Sequence, residues 1–114
     1  MELVIEVYKL TKQFPQEERY GLASQMERAA VSDASNIAEG YNRQHRGEYV
    51  QFLSISYGSC AELGTQLEIA QRLPHLAHLD YKRAVSLLDE VMRMLWSMIT
   101  KLKQPDRPKS NPVP

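Results

Sequence analysis

The stretch LASQMERAAVSDASNIAEG, residues 22–40, carries the apolar spacing on which the fold depends. Leu22, Met26 and Ile37 recur at intervals that place them along one face of an α-helix. We therefore expect a helix that runs toward Gly40. A helix with one apolar face packs that face against other helices or against a sheet. The periodicity of the rest of the chain decides between these two partners.

Three other segments show the same helical periodicity, and prolines or a capping residue mark their ends. We expect the first helix to end before Pro15, and the third to begin near Glu48 and end before Pro74. The fourth helix is expected to follow an N-cap at Asp80. The stripe positions of these three helices are, in chain order, Leu3, Val7, Leu10 and Phe14; Tyr49, Leu53, Ser56, Cys60, Leu63, Leu67 and Ala70; and Tyr81, Val85, Leu88, Met92, Leu95, Ile99 and Leu102.

The four amphipathic segments predict an all-α fold. Two-residue alternation does not persist anywhere in the chain, so strands have little support. Four such helices joined by short links favour an antiparallel up-and-down four-helix bundle, which we assign to residues 1–103. Residues 104–114, QPDRPKSNPVP, hold four of the six prolines and no periodic apolar positions. We expect this segment to be a disordered, flexible tail.

Composition excludes several classes of protein. Fourteen basic residues balance fourteen acidic residues, so the strong positive field common in nucleic-acid-binding proteins is absent, although a local basic patch is compatible with this balance. The single cysteine, Cys60, cannot form an internal disulfide, and no signal peptide is evident. No apolar run approaches the roughly 20 residues needed to cross a bilayer. We expect a soluble, cytoplasmic protein with no membrane partner.

Polar residues adjoin the apolar face of the second helix. Asp33 falls on the stripe itself, and Ser32 and Asn36 lie one turn apart beside it. Buried polar groups without hydrogen bonds cost on the order of 1–3 kcal/mol each, so we expect Asn36 to bond to a neighbouring helix. A structural network that fixes helix register explains this ridge better than a ligand site does. The predicted members of the network are Arg28, Ser32, Asn36, Glu39, Ser59 and Glu62.

Two expectations about local packing stay conditional. If Asp33 is an unpaired acid on the apolar stripe, replacing it with Ile should stabilise the fold. Gly58 and Gly64 each cost about 1 kcal/mol relative to Ala within the third helix. We expect that these glycines let another backbone approach.

The connection NRQHRG, residues 42–47, is a candidate nucleic-acid-binding segment. Arg43, His45 and Arg46 can contact phosphate, because guanidinium groups present forked, charged donors and no acid interrupts the segment. The alternative, a solvated connection between helices, stays open.

The remaining reactive side chains do not form a recognisable catalytic or metal site. His75 and His78 lack a nearby cysteine or carboxylate pair, so we expect no metal. Cys60 falls on an apolar stripe and is expected to be a small core residue. Glu39 and Glu62 have neither a cleft signal nor a third, orienting group. We expect no enzymatic activity and no cofactor.

Several motifs in combination resemble the 23S rRNA intervening-sequence proteins, a family of small four-helix bundles. They are RAAVSDASNIAEG followed by YNR, FPQEERYGLASQ, EYVQFLSISYGSCAEL and QLEIA, and the resemblance covers about residues 3–103. The chain departs from the family pattern at Asp33 and Ala34, where an aliphatic residue followed by Pro is usual, and at Cys60 and Gly64, where larger apolar or acidic residues are usual. The positions that match recurrent family residues are Arg28, Ser32, Asn36, Glu39, Gly40, Arg43, Gly58, Ser59 and Glu62.

The resemblance implies an assembly more than a mechanism. The family is commonly described as lacking a known catalytic activity. Its members are similar, in fold and pentameric assembly, to the accessory variability determinant that assists reverse transcriptase in diversity-generating retroelements. Two functions therefore remain open. One is a homopentamer that binds structured RNA or DNA through basic groups repeated around a ring. The other is a scaffold or accessory subunit, for example for a reverse transcriptase, that uses exposed apolar side chains of the first and fourth helices.

Overall fold

The computed structural model describes residues 1–104, which form four α-helices and, in that range, no strand. The helices are α1 (Glu2–Thr11), α2 (Leu22–Tyr41), α3 (Arg46–Arg72) and α4 (Lys82–Lys103), and a short 3-10 helix, Gln16–Glu18, lies in the link between α1 and α2. The predicted all-α four-helix bundle is confirmed. The predicted flexible tail, apart from Gln104, lies outside the described residues. The domain limit at residue 103 stays a prediction.

Each helix packs against two others. α2 contacts α1 and α3, and α4 likewise contacts α1 and α3. Over residues 1–104, α1 has no backbone close to α3, and α2 has none close to α4. These two pairs therefore lie diagonally across the bundle, and the core fills the space between them.

α2 and α3 form an antiparallel hairpin. Midway along both helices, the Ser32 and Ser59 hydroxyl oxygens lie 2.9 Å apart. Near the end of α2, a Cβ added to Gly40 would lie 3.0 Å from Phe52 Cβ, so this end of the hairpin requires a residue without a side chain. Residue 32 of α2 pairs with residue 59 of α3, and residue 40 pairs with residue 52. Residue numbers thus increase along α2 while those of their α3 partners decrease, so the two helices are antiparallel.

α3 and α4 are antiparallel as well. The Tyr57 and Trp96 ring centroids lie 5.7 Å apart. About two turns further along α3, a Cβ added to Gly64 would lie 3.4 Å from Leu88 Cδ2. This is a side-chain contact at ordinary van der Waals distance, so the expected close approach of another backbone at Gly64 is not observed among the described residues.

α1 is the shortest helix and is held at both ends by polar contacts. Thr11 Oγ1 donates a hydrogen bond of 2.7 Å to Glu27 Oε2 on α2. Arg83 Nε lies 3.4 Å from Glu6 Oε1, and Arg83 Nη2 lies 3.6 Å from Glu2 Oε1. These contacts fix α1 against both of its neighbours.

Two helix starts differ slightly from the sequence expectation. α3 begins at Arg46 rather than near Glu48, because its first two residues carry no apolar side chain that periodicity could detect. α4 begins at Lys82, with Tyr81 in the N-cap position. The predicted N-cap at Asp80 is therefore wrong by one residue, although Asp80 Oδ1 still accepts a 3.0 Å hydrogen bond from the Lys82 backbone N–H.

The core draws side chains from every helix and from the link between α3 and α4. Full burial of one large apolar side chain stabilises a fold by about 1.5–3 kcal/mol. The large apolar side chains with less than 2 % exposure are Val7, Met26, Leu53, Leu63, Leu67, Leu76 and Leu95. None of the helices in residues 1–104 combines the length and the apolar character that crossing a membrane requires.

Candidate functional site

Five polar residues lie between α2 and α3, and together we call them the polar seam: Ser32, Asp33, Asn36, Ser56 and Ser59. Asp33, Ser56 and Ser59 are buried, and Ser32 and Asn36 are half-buried. The seam runs along the middle of the helix pair rather than at its ends. Its hydrogen bonds therefore relate to the register of α2 relative to α3.

Ser32 carries the link between the helices at one edge of the seam. The Ser32 hydroxyl lies 2.9 Å from the Ser59 hydroxyl, and Asn36 Nδ2 donates to Ser32 Oγ at 3.1 Å and to the Ser32 carbonyl at 2.8 Å. The expected bond from Asn36 to a neighbouring helix is not present. The amide instead bonds one turn back on its own helix, because Ser32 places two acceptors within reach of its short side chain.

Asp33 is a paired acid inside the bundle. It is 3 % exposed, and the fully buried Ser56 hydroxyl lies 2.5 Å from Asp33 Oδ1 and 2.9 Å from the Asp33 carbonyl oxygen. The condition under which Asp33→Ile should stabilise the fold, an unpaired acid, is therefore not met. Helical spacing placed Asp33 on the apolar stripe but could not predict its pairing with Ser56, because that pairing depends on the register of α3 relative to α2.

Cys60 lies near the same acid, one turn after Ser56 on α3. Burial raises the pKa of the Cys60 thiol far above its ordinary value, and the charge of Asp33 and a hydrogen bond to Asp33 raise it further. The thiol is fully buried and stays protonated at neutral pH. Cys60 is therefore a core residue without the exposed, electropositive setting of a reactive cysteine.

Three predicted members of the polar network lie outside the seam. Glu39 is exposed and accepts a 2.6 Å hydrogen bond from Arg43 Nη2. Arg28 and Glu62 are exposed, and within residues 1–104 neither has a hydrogen bond or an ion pair. The structure thus brings Ser32, Asn36 and Ser59 together and leaves these three charged residues on the outer surface, where water solvates them.

The end of the bundle that connects α2 to α3 carries exposed basic and aromatic side chains. We call Tyr41, Arg43, His45 and Arg46 the basic end; all four are exposed. The Arg43 guanidinium pairs with Glu39 and lies 4.8 Å from the centroid of the Phe52 ring. The three basic residues predicted from the sequence therefore share one end of the fold.

The N-terminus of α3 opens onto the basic end. His45 occupies the N-cap position with extended backbone geometry and no side-chain capping bond. The first backbone N–H groups of a helix have no partner within the helix, and its dipole makes this end partially positive. Tyr41, 75 % exposed, tilts against Tyr49 with 6.1 Å between ring centroids. Sequence reasoning missed Tyr41, although its position beside a basic connection was a usable signal.

Two other features bear on the chemistry of the fold, its histidines and a cavity beside α1. Among the described residues, no group of three or more His, Cys, Asp and Glu side chains could hold a metal ion, and His75 Nε2 instead lies 2.8 Å from Glu18 Oε2. A half-open cavity of about 820 Å³ lies between α1 and the start of α2. Its walls include Ile5, Tyr8 and Phe14, and helical periodicity did not predict this cavity.

These features define a small helical bundle with an internal polar seam and a basic end. The family model described as 23S rRNA-intervening sequence protein matches residues 1–97, and the chain belongs to that family. The crystal structure of a protein of unknown function from the S23 ribosomal protein family of Bacteroides thetaiotaomicron VPI-5482 is similar in fold. The two chains are 22% identical, with a TM-score of 0.77 over 86% of this chain and 92% of the other. No curated protein matches the chain.

Proposed function

We propose that the protein is a non-catalytic homo-oligomer that binds structured RNA or DNA through the basic end. The observation that supports this most directly is the grouping of Arg43, His45 and Arg46, all exposed, within four consecutive residues at one end of the bundle. Residues 40–47 include no acid. Guanidinium groups and the free N–H groups of a helix N-terminus are donors that bind phosphate oxygens.

Tyr41 supplies a second kind of contact. Its ring is 75 % exposed beside the basic side chains. Aromatic rings stack on unpaired bases, which structured RNA presents in loops and bulges. Because stacking accepts any base, we expect a preference for structured RNA with unpaired nucleotides over regular duplex, with little dependence on base sequence.

Glu39 limits the contribution of Arg43. Its carboxylate occupies part of the Arg43 guanidinium, so a phosphate must compete with it or use the remaining N–H donors. Exposed ion pairs contribute only about 0–1 kcal/mol, so a phosphate can displace this one. The variant Glu39→Gln should therefore bind nucleic acid more tightly than the unaltered protein.

Assembly compensates for the small number of basic groups on each chain. The chain has no net charge, and three basic side chains make a weak site alone. Copies of the site held in one assembly bind a long polyanion with a much higher effective concentration. The resemblance to the family implies five copies, and affinity should then fall steeply with salt as counterions are released.

Fluorescence polarisation titrations test the site. The ligands are a labelled hairpin fragment of 23S rRNA and an unrelated DNA duplex, each at low and moderate salt. Replacing Arg43 and Arg46 together with Ala should weaken binding and flatten its salt dependence. The matched control replaces Arg72 and Arg93 with Ala, because both are exposed and pair with acids elsewhere on the surface.

Two results contradict this proposal in different ways. Absence of binding to either ligand at low salt removes the nucleic-acid function. Equal losses in the test and control variants keep the activity but remove the basic end as its site.

A second candidate function is that of an accessory subunit for another protein, such as a reverse transcriptase. The cavity beside α1 supports it, since Ile5 and Tyr8 on its wall are 56% and 45% exposed. Exposed apolar side chains around a concavity are typical of protein contacts. Replacing both with Ser should abolish co-elution with a purified reverse transcriptase of a diversity-generating retroelement and leave rRNA binding intact. Failure of the unaltered protein to co-elute removes this candidate.

A further inference from the structure

The half-open cavity beside α1 carries basic side chains that pair with no acid among residues 1–104. Lys9, Lys12 and Arg19 line the cavity next to its apolar wall, and all three are exposed. Glu27, an acid in the same wall, accepts a 2.7 Å hydrogen bond from Thr11 Oγ1. The cavity therefore suits an apolar side chain that is accompanied by a carboxylate.

The outer face of α3 has the complementary composition. We call Ile55, Gly58, Glu62 and Ile69 the α3 ridge, because their spacing places them in one line along the exposed side of the helix. Ile55 and Ile69 are 46% and 44% exposed. Glu62 is exposed as well and has no ion pair in the described part of the chain. The ridge thus presents apolar side chains together with an acid.

Gly58 on this ridge has no structural reason inside the chain. A Cβ added to Gly40 or Gly64 would approach side chains of a neighbouring helix, whereas one added to Gly58 meets nothing within 4 Å. A glycine within a helix costs about 0.5–1 kcal/mol relative to Ala. The close approach of another backbone that the sequence predicted at Gly58 does not occur within residues 1–104. A helix of another molecule packed on the ridge would account for this glycine.

A shielded acceptor beside the ridge also lacks a partner. Gln66 Oε1 is buried and has no hydrogen-bond partner among residues 1–104. Gln66 lines a shallow groove together with Glu62 and Ile69, on the side of the bundle formed by α2 and α3. A lysine ammonium group is a donor of up to three hydrogen bonds, so the lysines of the cavity can supply the missing bond.

One contact of α1 with α4 shows how high the start of α1 lies along the bundle. Arg83, which pairs with Glu6, lies five residues before Leu88, and Leu88 faces Gly64. Because α3 and α4 are antiparallel, Glu6 is level with about residue 69 of α3.

A contact of α1 with α2 gives the height of the other end. Thr11 bonds to Glu27, which lies five residues before Ser32, and Ser32 faces Ser59. Because α2 and α3 are antiparallel, Thr11 is level with about residue 64 of α3.

These two levels match the cavity to the ridge. Ile5 lies close to the height of Ile69, and Lys12 lies close to the height of Glu62. The members of each helix are seven residues apart, which is about 10 Å on both α1 and α3. Copies in a closed ring are related by rotation alone, so in a ring whose axis follows the bundles each residue meets neighbours at its own height. The apolar pair and the charged pair can therefore form together.

The cavity and the ridge also lie on adjacent sides of the bundle. The cavity opens on the side formed by α1 and α2, and the ridge borders the side formed by α2 and α3. Adjacent sides of a four-helix bundle face directions roughly 90° apart. Head-to-tail contacts between surfaces about 90° apart close a ring of four chains, and an angle of about 108° closes a ring of five. The two surfaces thus predict a small closed ring, in agreement with the five copies that the family resemblance implies.

We infer that the α3 ridge of each chain packs into the α1 cavity of the next chain, and that this repeated contact closes the homo-oligomer into a ring. Ile69 of one copy contacts Ile5 of the next, and Glu62 pairs with Lys12 of the same neighbour. Gly58 lets the neighbouring backbone approach. The inference rests on the homo-oligomeric part of the proposed function and names the two surfaces that carry it. Because a neighbour fills the cavity, the accessory-subunit contact has to compete with it.

Light scattering coupled to size-exclusion chromatography tests the contact, with circular dichroism to verify folding. The unaltered protein should have about four or five times the 13.1 kDa mass of one chain. The cavity variant, Ile5→Lys with Tyr8→Lys, and the ridge variant, Glu62→Lys with Ile69→Lys, should each have the mass of one chain. All four positions are exposed, so both variants should fold.

A mixture of the two variants tests that the contact joins two different surfaces. The cavity variant keeps its ridge and the ridge variant keeps its cavity, so one contact forms, while lysines on both sides block the next. The mixture should therefore have the mass of two chains, one of each variant. The matched control, Val85→Lys with Met94→Lys, changes two exposed apolar residues of α4 and should keep the mass of the unaltered protein.

The register of the contact has its own test. Lys12→Glu and Glu62→Lys should each reduce the mass by opposing like charges, and the two substitutions in one chain should restore it. If the combined variant stays at the mass of one chain, the pairing of these two residues is refuted.

The possible masses separate this inference from the proposed function. A mass of one chain for the unaltered protein at every concentration overturns both the ring and the homo-oligomer. A ring whose mass is unchanged in the cavity and ridge variants overturns the assignment of the surfaces and leaves the homo-oligomer in place. Variants that each fall to one chain but do not associate when mixed overturn the head-to-tail contact, as does an equal loss of assembly in the α4 control.

Discussion

Replacing Ser56 with Ala should destabilise the protein by about 2 kcal/mol, because it removes a hydroxyl that donates to the buried Asp33 carboxyl group. Ser56 is fully buried and Asp33 is 3 % exposed, so water cannot replace the lost donor. A buried polar group left without its hydrogen-bond partner costs roughly 1–3 kcal/mol.

Thermal and urea denaturation followed by circular dichroism measure this loss. For a domain of this size, 2 kcal/mol corresponds to a fall in Tm of about 8–16 °C. The double variant Ser56→Ala with Asp33→Ile should recover part of the stability, since it removes both polar partners together. If Ser56→Ala changes the free energy of unfolding by less than about 0.5 kcal/mol, the Ser56–Asp33 bond does not stabilise the fold and the reasoning is refuted.

Three further predictions concern the same helix pair. Gly40→Ala should destabilise the protein by about 1–3 kcal/mol in urea denaturation, because its Cβ would lie 3.0 Å from Phe52. The control Gly47→Ala should not destabilise the protein, since nothing lies within 4 Å of its Cβ. Equal effects of the two substitutions would contradict the packing. Asn36→Leu should cost about 0.5–1.5 kcal/mol in thermal melts through loss of its two bonds, and unchanged stability would mean that water replaces them. The buried Cys60 thiol, whose pKa is raised, should react with a disulfide reagent only after denaturation, and rapid labelling of the native protein would show that the site opens.

Periodicity was sufficient to predict the four helices and most of their core positions. Met26, Leu63 and Leu95 lie on predicted stripes and are fully buried, because a helix with one apolar face packs that face into the core. Periodicity did not reveal the first turn of α3, since Arg46 is polar and the residue after it is Gly47.

The sites could be predicted only as far as single helices determine them. The spacing of Ser32 and Asn36 showed a polar ridge, but the partners of that ridge depend on the register of α3 relative to α2. The pairing of Asp33 with Ser56 depends on this register and could not be derived from either helix alone. The pair of Glu39 with Arg43 is different, because a separation of four residues made it readable from the sequence.

The short connection between α2 and α3 has a consequence for the order of folding. Four residues, 42–45, join two helices that share the most extensive helix contact of the bundle. Closing so short a loop costs little chain entropy, so this hairpin should form in the folding transition state before α1 and α4 dock. Ser56→Ala should then slow folding, whereas shortening the Val7 side chain on α1, as in Val7→Ala, should mainly accelerate unfolding.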